Sequence, residues 1–540
     1  MDKRGILAIV LSLAVLFIYQ VFFVKHPPAP KRSEDVQEEK AVENLKSNEV
    51  ALEQERKIQQ TKPLSSLAGT LRGKDIPVDT PLYTATFTTS GGTLKSFKLK
   101  DYRKTLDKNS ELIELVEVVD GMSHPLIISF PDSSIDIPAD TIYETNVDSI
   151  KVTKTTDTRS HSLIFSQSYP NEIKVEKIFT FYPARYTVDL EVRVYNLSID
   201  PLSQNASLSW YQFVDPQAET DSYSHKGPIS FVAKSVERQD VEKLDAAKLL
   251  GPGVSWSGFE SKYFLAAMIP QNPSTTSLSL SKDARNIVSV SLKGPKNLIP
   301  PGQVGSFGYS LYLGPKDHSI LKAEGADLEN AIEFWSWLKW LAMPLLVALK
   351  FLYRYVHNYG LAIIILTILI KIIFWPLGNK SYKSMKEMQK LQPKIIELRE
   401  KYKNDKAKLS QGTMALYRTH KVNPLGGCLP MVIQIPVFFG LYQALLYAIE
   451  LRHSPLVWWI KDLSAKDPYY ITPIIMGATM FLQQKMTPQA GDPMQAKIML
   501  WMPVIFTFLF LNFPSGLVIY WLFNNIISIG QQYYINKQLS

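Results

Sequence analysis

A single cysteine, Cys428, serves all 540 residues, so no intramolecular disulfide can form and every region must be stable without one. The chain also lacks a Walker phosphate loop and a His-Glu-x-x-His helix, and its histidines are dispersed. Nothing in it is built to split ATP or a peptide bond, and no metal or cofactor site is expected. Between His26 and Leu82 there is no Phe, Trp or Tyr. That stretch opens with Pro27, Pro28 and Pro30 and then runs in Glu, Lys, Gln and Ser. It cannot bury enough apolar surface to offset chain ordering, so 26–82 reads as a disordered tether, with composition that allows a short helix over 42–57. The N-terminal apolar run from Ile6 to Val24 follows Lys3 and Arg4 but has no small-residue cleavage site. Residues 1–25 therefore read as an uncleaved signal anchor with a cytoplasmic N-terminus.

The formal charge of +9 could indicate nucleic acid, but its distribution argues otherwise. Residues 378–422 hold twelve Lys and Arg against four acidic residues, between hydrophobic stretches. That is how a membrane protein sets its orientation, with the basic loop in the cytoplasm. No specific nucleic-acid partner is expected, while membrane lipids are.

From Tyr83 the hydrophobic period becomes two. Val188, Leu190, Val192 and Val194 alternate with Asp189, Glu191, Arg193 and Tyr195, and Phe307, Tyr309, Leu311 and Leu313 repeat the pattern. Gly91-Gly92, Pro252-Gly253 and Pro301-Gly302 punctuate the strands. Residues 83–325 are expected to form a large all-β domain. Because it follows the anchor, it faces outward.

The remainder is apolar and helical. Residues 331–355 carry Glu333, Lys339, Lys350 and clustered Trp335, Trp337 and Trp340, which suits an amphipathic helix in the headgroup layer. Spans are expected over 356–376, 424–449, 469–485, 498–513 and 515–534. They are joined by the basic hairpin 377–423, an outer loop 450–468 and a cytoplasmic loop 486–497, with a short cytoplasmic tail at 535–540. With the anchor this makes six spans and puts both termini inside. Two spans are short, which thins or tilts the bilayer around them.

Lys371 lies about two-thirds of the way along the first of these spans, where a charge costs at least ~2.5 kcal/mol. No Asp or Glu lies within the apolar stretches to neutralise it. It either snorkels past Pro376 or sits in a hydrated cavity. Thr367, Gln434, Tyr442, Gln443, Gln483, Gln484, Asn512, Tyr520, Trp521, Asn524 and Asn525 add hydrogen-bonding groups inside the spans, some of them helix–helix glue. On the hairpin, Met385, Met388, Leu391 and Ile395 recur at helical spacing. The stripe either packs one arm on the other or receives apolar segments.

Asn423-Pro-Leu-Gly-Gly-Cys-Leu-Pro430, Asp467-Pro-Tyr-Tyr470, Asp492-Pro-Met-Gln495, Met502-Pro-Val-Ile-Phe506 and Phe513-Pro-Ser-Gly-Leu517 together resemble the YidC/Oxa/Alb family of membrane protein insertases. The likeness covers about Ala331 to Tyr534, and the anchor and β domain extend it to the six-span members of Gram-negative bacteria. The resemblance implies a polytopic α-helical inner-membrane protein with a five-helix insertase core and a periplasmic β-supersandwich. It implies insertion and folding of nascent membrane proteins, alone or with the Sec translocon, from transient ribosome nascent-chain complexes. It also implies a groove open to cytoplasm and lipid. Lys371 stands where the family usually has arginine, and Trp521 where an aromatic substrate-contacting residue, usually tyrosine, is expected. The groove set is then Lys371, Thr367, Gln434, Tyr442, Gln483, Tyr520, Trp521 and Asn524. Ile435, Phe438 and Phe506 form a face along which clients slide, and Met385, Met388, Lys394 and Arg399 mark the receiving hairpin. The short tail makes ribosome binding through a long basic extension unexpected. A polytopic solute transporter would also place a cation at mid-membrane, but the halves show no repeat. A membrane-anchored carbohydrate-binding protein is the reading of the β domain alone.

Overall fold

Alternation of apolar and polar residues builds the first half of the chain. The computed structural model describes residues 62–63, 73–138, 141–153, 161–215, 225–244, 246–335, 337–403, 405–420, 422, 429–487 and 493–538. The expected anchor, most of the tether and the Asn423–Pro430 motif with Cys428 lie largely outside them. In Ile173–Phe181 and Thr187–Asn196 every second side chain is buried, as the period of two requires. These strands pair antiparallel with each other, and the second pairs with Val304–Pro315 through Val192 opposite Phe307. They form the middle of a nine-stranded sheet.

Two five-stranded sheets back this large one. Phe87 brings one of them against Phe179 and Phe181, with ring centroids 4.7 and 5.7 Å apart. The other packs through buried Trp210, Leu208, Val290 and Leu292, and the Tyr309 hydroxyl donates across to Ala206 O at 3.2 Å. Gly91 and Gly92 turn the chain at φ of 69° and 55°, where a side chain would be strained.

The domain begins earlier than the sequence indicates. Asp75–Asp79, inside the expected tether, is a strand that pairs with Tyr83–Thr88 and buries Ile76 and Val78. Lys62–Pro63 pairs with Ile135–Asp136. Two apolar residues flanking Pro77 give no periodic signal by themselves; a neighbouring sheet edge supplies their hydrogen bonds.

Nine helices are described in the rest of the chain: α1 (His318–Glu324), α2 (Lys339–Val356), α3 (Tyr359–Lys390), α4 (Gln392–Lys401), α5 (Lys406–Thr419), α6 (Leu429–Tyr447), α7 (Ile471–Met486), α8 (Pro493–Phe510) and α9 (Ser515–Gln538). Among the described residues, one helix, α3, is long and apolar enough to cross a membrane by length and composition. It does not stop at Pro376 as the sequence indicates but runs 32 residues, so the hairpin's first arm is a continuation of it. Pro376 has no amide to bond Ile372 O four residues back, yet the helix continues. Gln531 Nε2 donates to Trp375 O at 3.1 Å and ties this turn of α3 to α9.

Helix α9 is the axis of this half, with Leu517, Val518, Ile519, Tyr520, Asn524, Asn525, Ser528, Gln531 and Gln532 buried against α3 and α7. A Cβ on Gly378 would lie 2.7 Å from Gln531 Nε2, the movable end of a flexible side chain, so Gly378 marks where α3 and α9 come close. Helices α8 and α9 are joined by the expected short turn, held by Ser515 N and Gly516 N on Ala465 O and Leu463 O. Yet α8 packs on α7 rather than along α9. The hairpin stripe packs inward: Met388, Leu391, Ile395 and Val422 form a buried cluster joined by Met385, Leu416 and Tyr417.

Charged contacts join the two halves. Lys350 on α2 donates to both Asp317 oxygens at 3.1 Å and lies 2.7 Å from Glu450, which follows α6. Asp317 also caps α1 through the Ser319 and Ile320 amides. Burial opposes ionisation of Asp317, but Lys350 and those amides outweigh it and hold the carboxyl below its ordinary range. For Glu450 burial wins and the carboxyl is pushed up. Nearby, Glu260 takes Lys316 at 2.8 Å, Arg238 at 2.6 Å and His225 at 3.0 Å. Its burial is overcome by these partners, led by Lys316, which lower it to about 2. Arg238 also donates to Ala331 O at 2.9 Å, and Arg452 Nη2 to Arg103 O at 2.5 Å.

Candidate functional site

The helix that carries Lys371 presents Ile368, Leu369, Ile372 and Ile373 outward, all exposed and apolar, as a lipid-facing stripe does. Lys371 is half-buried and turns the other way, toward α9. Its Nζ donates to Ser528 Oγ at 2.7 Å. Among the described residues no carboxylate pairs with it. Ser528 Oγ in turn donates to Asn524 O at 2.7 Å, one turn back on α9. Tyr382, also on α3, is hydrogen-bonded to Ser528 and to Gln483 of α7. The expected residues Lys371 and Gln483 are thus linked through Ser528 and Tyr382, which were not among those expected, while Asn524 contributes only its backbone carbonyl. The available signal was spacing: Tyr520, Asn524 and Ser528 fall at i, i+4 and i+8 on one face of α9.

A second cluster lies further along α9. The Tyr520 hydroxyl is hydrogen-bonded to Gln434 of α6. Phe438 stands edge-on to Trp521 at 4.6 Å, and Phe506 and Phe510 approach Trp521 at 6.2 and 5.3 Å. Tyr442 joins through Phe438 and Phe513 at 6.4 and 6.0 Å. Of the expected sliding face, Ile435 is exposed, while Phe438 and Phe506 belong to this aromatic wall. The Trp521 indole Nε1 is buried without a hydrogen-bond partner among the described residues. An orphaned donor of this kind costs about 1–3 kcal/mol unless water or a ligand accepts from it.

Other expected members have local duties. Thr367 is fully buried and donates to Ile363 O at 2.7 Å within its own helix. Gln443 faces away from the groove set and accepts from Trp335 N at 2.9 Å. Asn512 is exposed at the end of α8. Lys394 lies 3.4 Å from His420 across the hairpin, and Arg399 is on α4.

The motif residues are structural. Asp467 caps α7, accepting from Thr472 N at 2.8 Å, Thr472 Oγ1 at 2.6 Å and Trp459 Nε1 at 3.3 Å. Although burial opposes it, these donors lower the Asp467 carboxyl. Gly477 lets α7 touch α8, since a Cβ there would meet Thr507 Oγ1 at 2.0 Å.

Residues 75–348 match the family model described as YidC periplasmic domain, and residues 351–540 that described as 60Kd inner membrane protein. A membrane protein insertase YidC of Syntrophus aciditrophicus is 66% identical, covering 100% of both chains. One of Geotalea daltonii is 44% identical, again over 100% of each. A crystal structure of an active YidC insertase with its first transmembrane domain resolved is 21% identical, with 91% of this chain and 99% of that one covered and a TM-score of 0.38. With both halves matched and full-length relatives at these identities, the chain belongs to the YidC family of membrane protein insertases.

Proposed function

We propose that this chain inserts and folds membrane proteins by taking a client's polar flank into the space between α3, α6, α7 and α9. One observation carries the reading: an ammonium on the most membrane-like helix is held by a hydroxyl and not by a carboxylate. A cation left without a counter-charge in apolar surroundings attracts an anion or water. An acidic client flank supplies the anion. Lys371, Gln434, Tyr520, Gln483 and the free Trp521 N–H stand in for part of the water that the flank loses, which lowers its desolvation barrier.

The apolar segment then moves along Ile435 and the Phe438–Phe506–Trp521 wall into lipid. Partitioning of that segment is the driving force, so the protein itself needs no nucleotide. The basic hairpin meets the client first at the cytoplasmic face. Its Met388 stripe is occupied by its own second arm, so its charged surface makes the contact. Six spans, cytoplasmic termini, an outer β domain and work with the Sec translocon and transient ribosome nascent-chain complexes complete the reading. The positive-inside pattern and the family relationship support them.

The test is insertion of a small two-span, acidic-flanked client into liposomes holding purified protein. Wild type and Lys371→Arg are expected to insert it and Lys371→Ala to fail. Equal insertion by all three would remove Lys371 from the mechanism. Insertion no better than by empty liposomes, together with solute uptake, would replace the insertase reading with a transporter.

A further inference from the structure

A lysine stem is flexible, and an ammonium in an apolar span tends to run along its helix to the nearest headgroups. Lys371 is placed to do so, because α3 continues past Pro376 toward the basic hairpin. Two side chains of α3 converge on the same atom, however. Tyr382 lies about three turns further along the helix, on the same face. Side chains on a helix lean toward its N-terminus, so Tyr382 reaches back and Lys371 must extend forward. They meet at Ser528 Oγ of α9. Ser528 is buried, and its single proton is committed to Asn524 O. Toward Lys371 its oxygen is therefore an acceptor.

We infer that Ser528 is the positioning residue of the groove: it catches the Lys371 ammonium partway along α3 and keeps it where a client's carboxylate can reach it. An arginine at this position would hold itself with several fork-shaped donors; a lysine is a single point charge and needs a fixed acceptor. An ammonium has three donors. With one on Ser528, others remain for a client carboxylate or its water. Without the hydroxyl, the ammonium slides toward the cytoplasmic headgroups. The inference rests on the insertase reading above and adds the residue that sets its selectivity for acidic flanks.

The experiment measures, in liposomes holding the full purified chain, the ratio of insertion of an acidic-flanked client to that of the same client with neutral flanks. Ser528→Ala is expected to lower that ratio roughly tenfold, the effect of losing one hydrogen bond to a charged group. Ser528→Thr keeps a hydroxyl that can bond the same carbonyl and restores the ratio. In a Lys371→Arg background, where the guanidinium holds itself, Ser528→Ala changes the ratio little. Equal loss for both clients would make Ser528 a packing residue and overturn the inference. So would a fall of the ratio in the Lys371→Arg background as large as in the lysine protein. An unchanged ratio in Ser528→Ala with normal wild-type insertion removes this inference alone. Failure of the wild type to insert either client removes the insertase reading and the inference with it.

Discussion

Buried or half-buried cations occur both where the two halves of this molecule meet and between α3 and α9, and they are treated in opposite ways. At the join, Lys350 has Asp317 and Glu450, and Lys316 and Arg238 share Glu260. Between α3 and α9 Lys371 has a serine hydroxyl. Paired ions fix geometry, because removing one partner strands the other in low dielectric. A cation without a counter-ion fixes little and is open to whatever anion arrives. The β domain supplies a control. Lys177 is buried, with its ammonium on Gly91 O at 2.5 Å and over the Tyr143 ring at 4.9 Å, and it has no acid partner among the described residues. It is enclosed by β structure and no client can approach it. An unpaired charge becomes a site when it is reachable.

The largest effect should come from breaking the join. Lys350→Met leaves two carboxylates facing each other and is expected to cost about 4 kcal/mol, read as a lower denaturation midpoint of the purified protein. A cost near zero would show that the two halves are not held by this cluster.

Lys177 gives a smaller, pH-dependent effect. Burial lowers its ammonium to about 7, whereas in an unfolded chain it titrates near 10.4. Between those values the unfolded chain holds the extra proton, so stability rises as pH climbs through that window. Below about 7 the penalty is fully present. Lys177→Met should therefore be more stable than wild type at pH 6, on the order of 2 kcal/mol. The advantage should shrink as wild type gains stability toward pH 10. Melting curves at pH 6, 8 and 9.5 check this, and a gap that stays constant would contradict it.

Lys371→Met strands no counter-charge and removes a half-buried cation, so it should raise the denaturation midpoint slightly, by less than Lys177→Met, and not lower it. Its effect belongs to insertion. A destabilisation comparable with that of Lys350→Met would mean that Lys371 is part of the scaffold and would erase the contrast between the two regions.

Much of this was legible in the chain. Val188 to Val194 alternate as a strand must, and they are buried as read. The apolar stretches among the described residues are helices, and the cost of Lys371 was visible because it depends on its immediate neighbours. The strand at Asp75–Asp79 was not legible, since its hydrogen-bond partners lie in other segments. The helix through Pro376 was hidden because its continuation is packed against α9, which a local reading cannot see. Asp317, Lys350 and Glu450 are far apart in sequence and carry no pattern linking them.

The sequence by itself determined the β period, the helical second half, the basic hairpin and the presence of one costly cation. These follow from local periodicity and from the price of desolvating a charge, which neighbouring residues set. Only the tertiary structure decided which lysine meets two carboxylates and which meets Ser528, because that depends on which helices approach and how closely. The packing of α3 on α9 gives Lys371 a hydroxyl in place of a counter-ion.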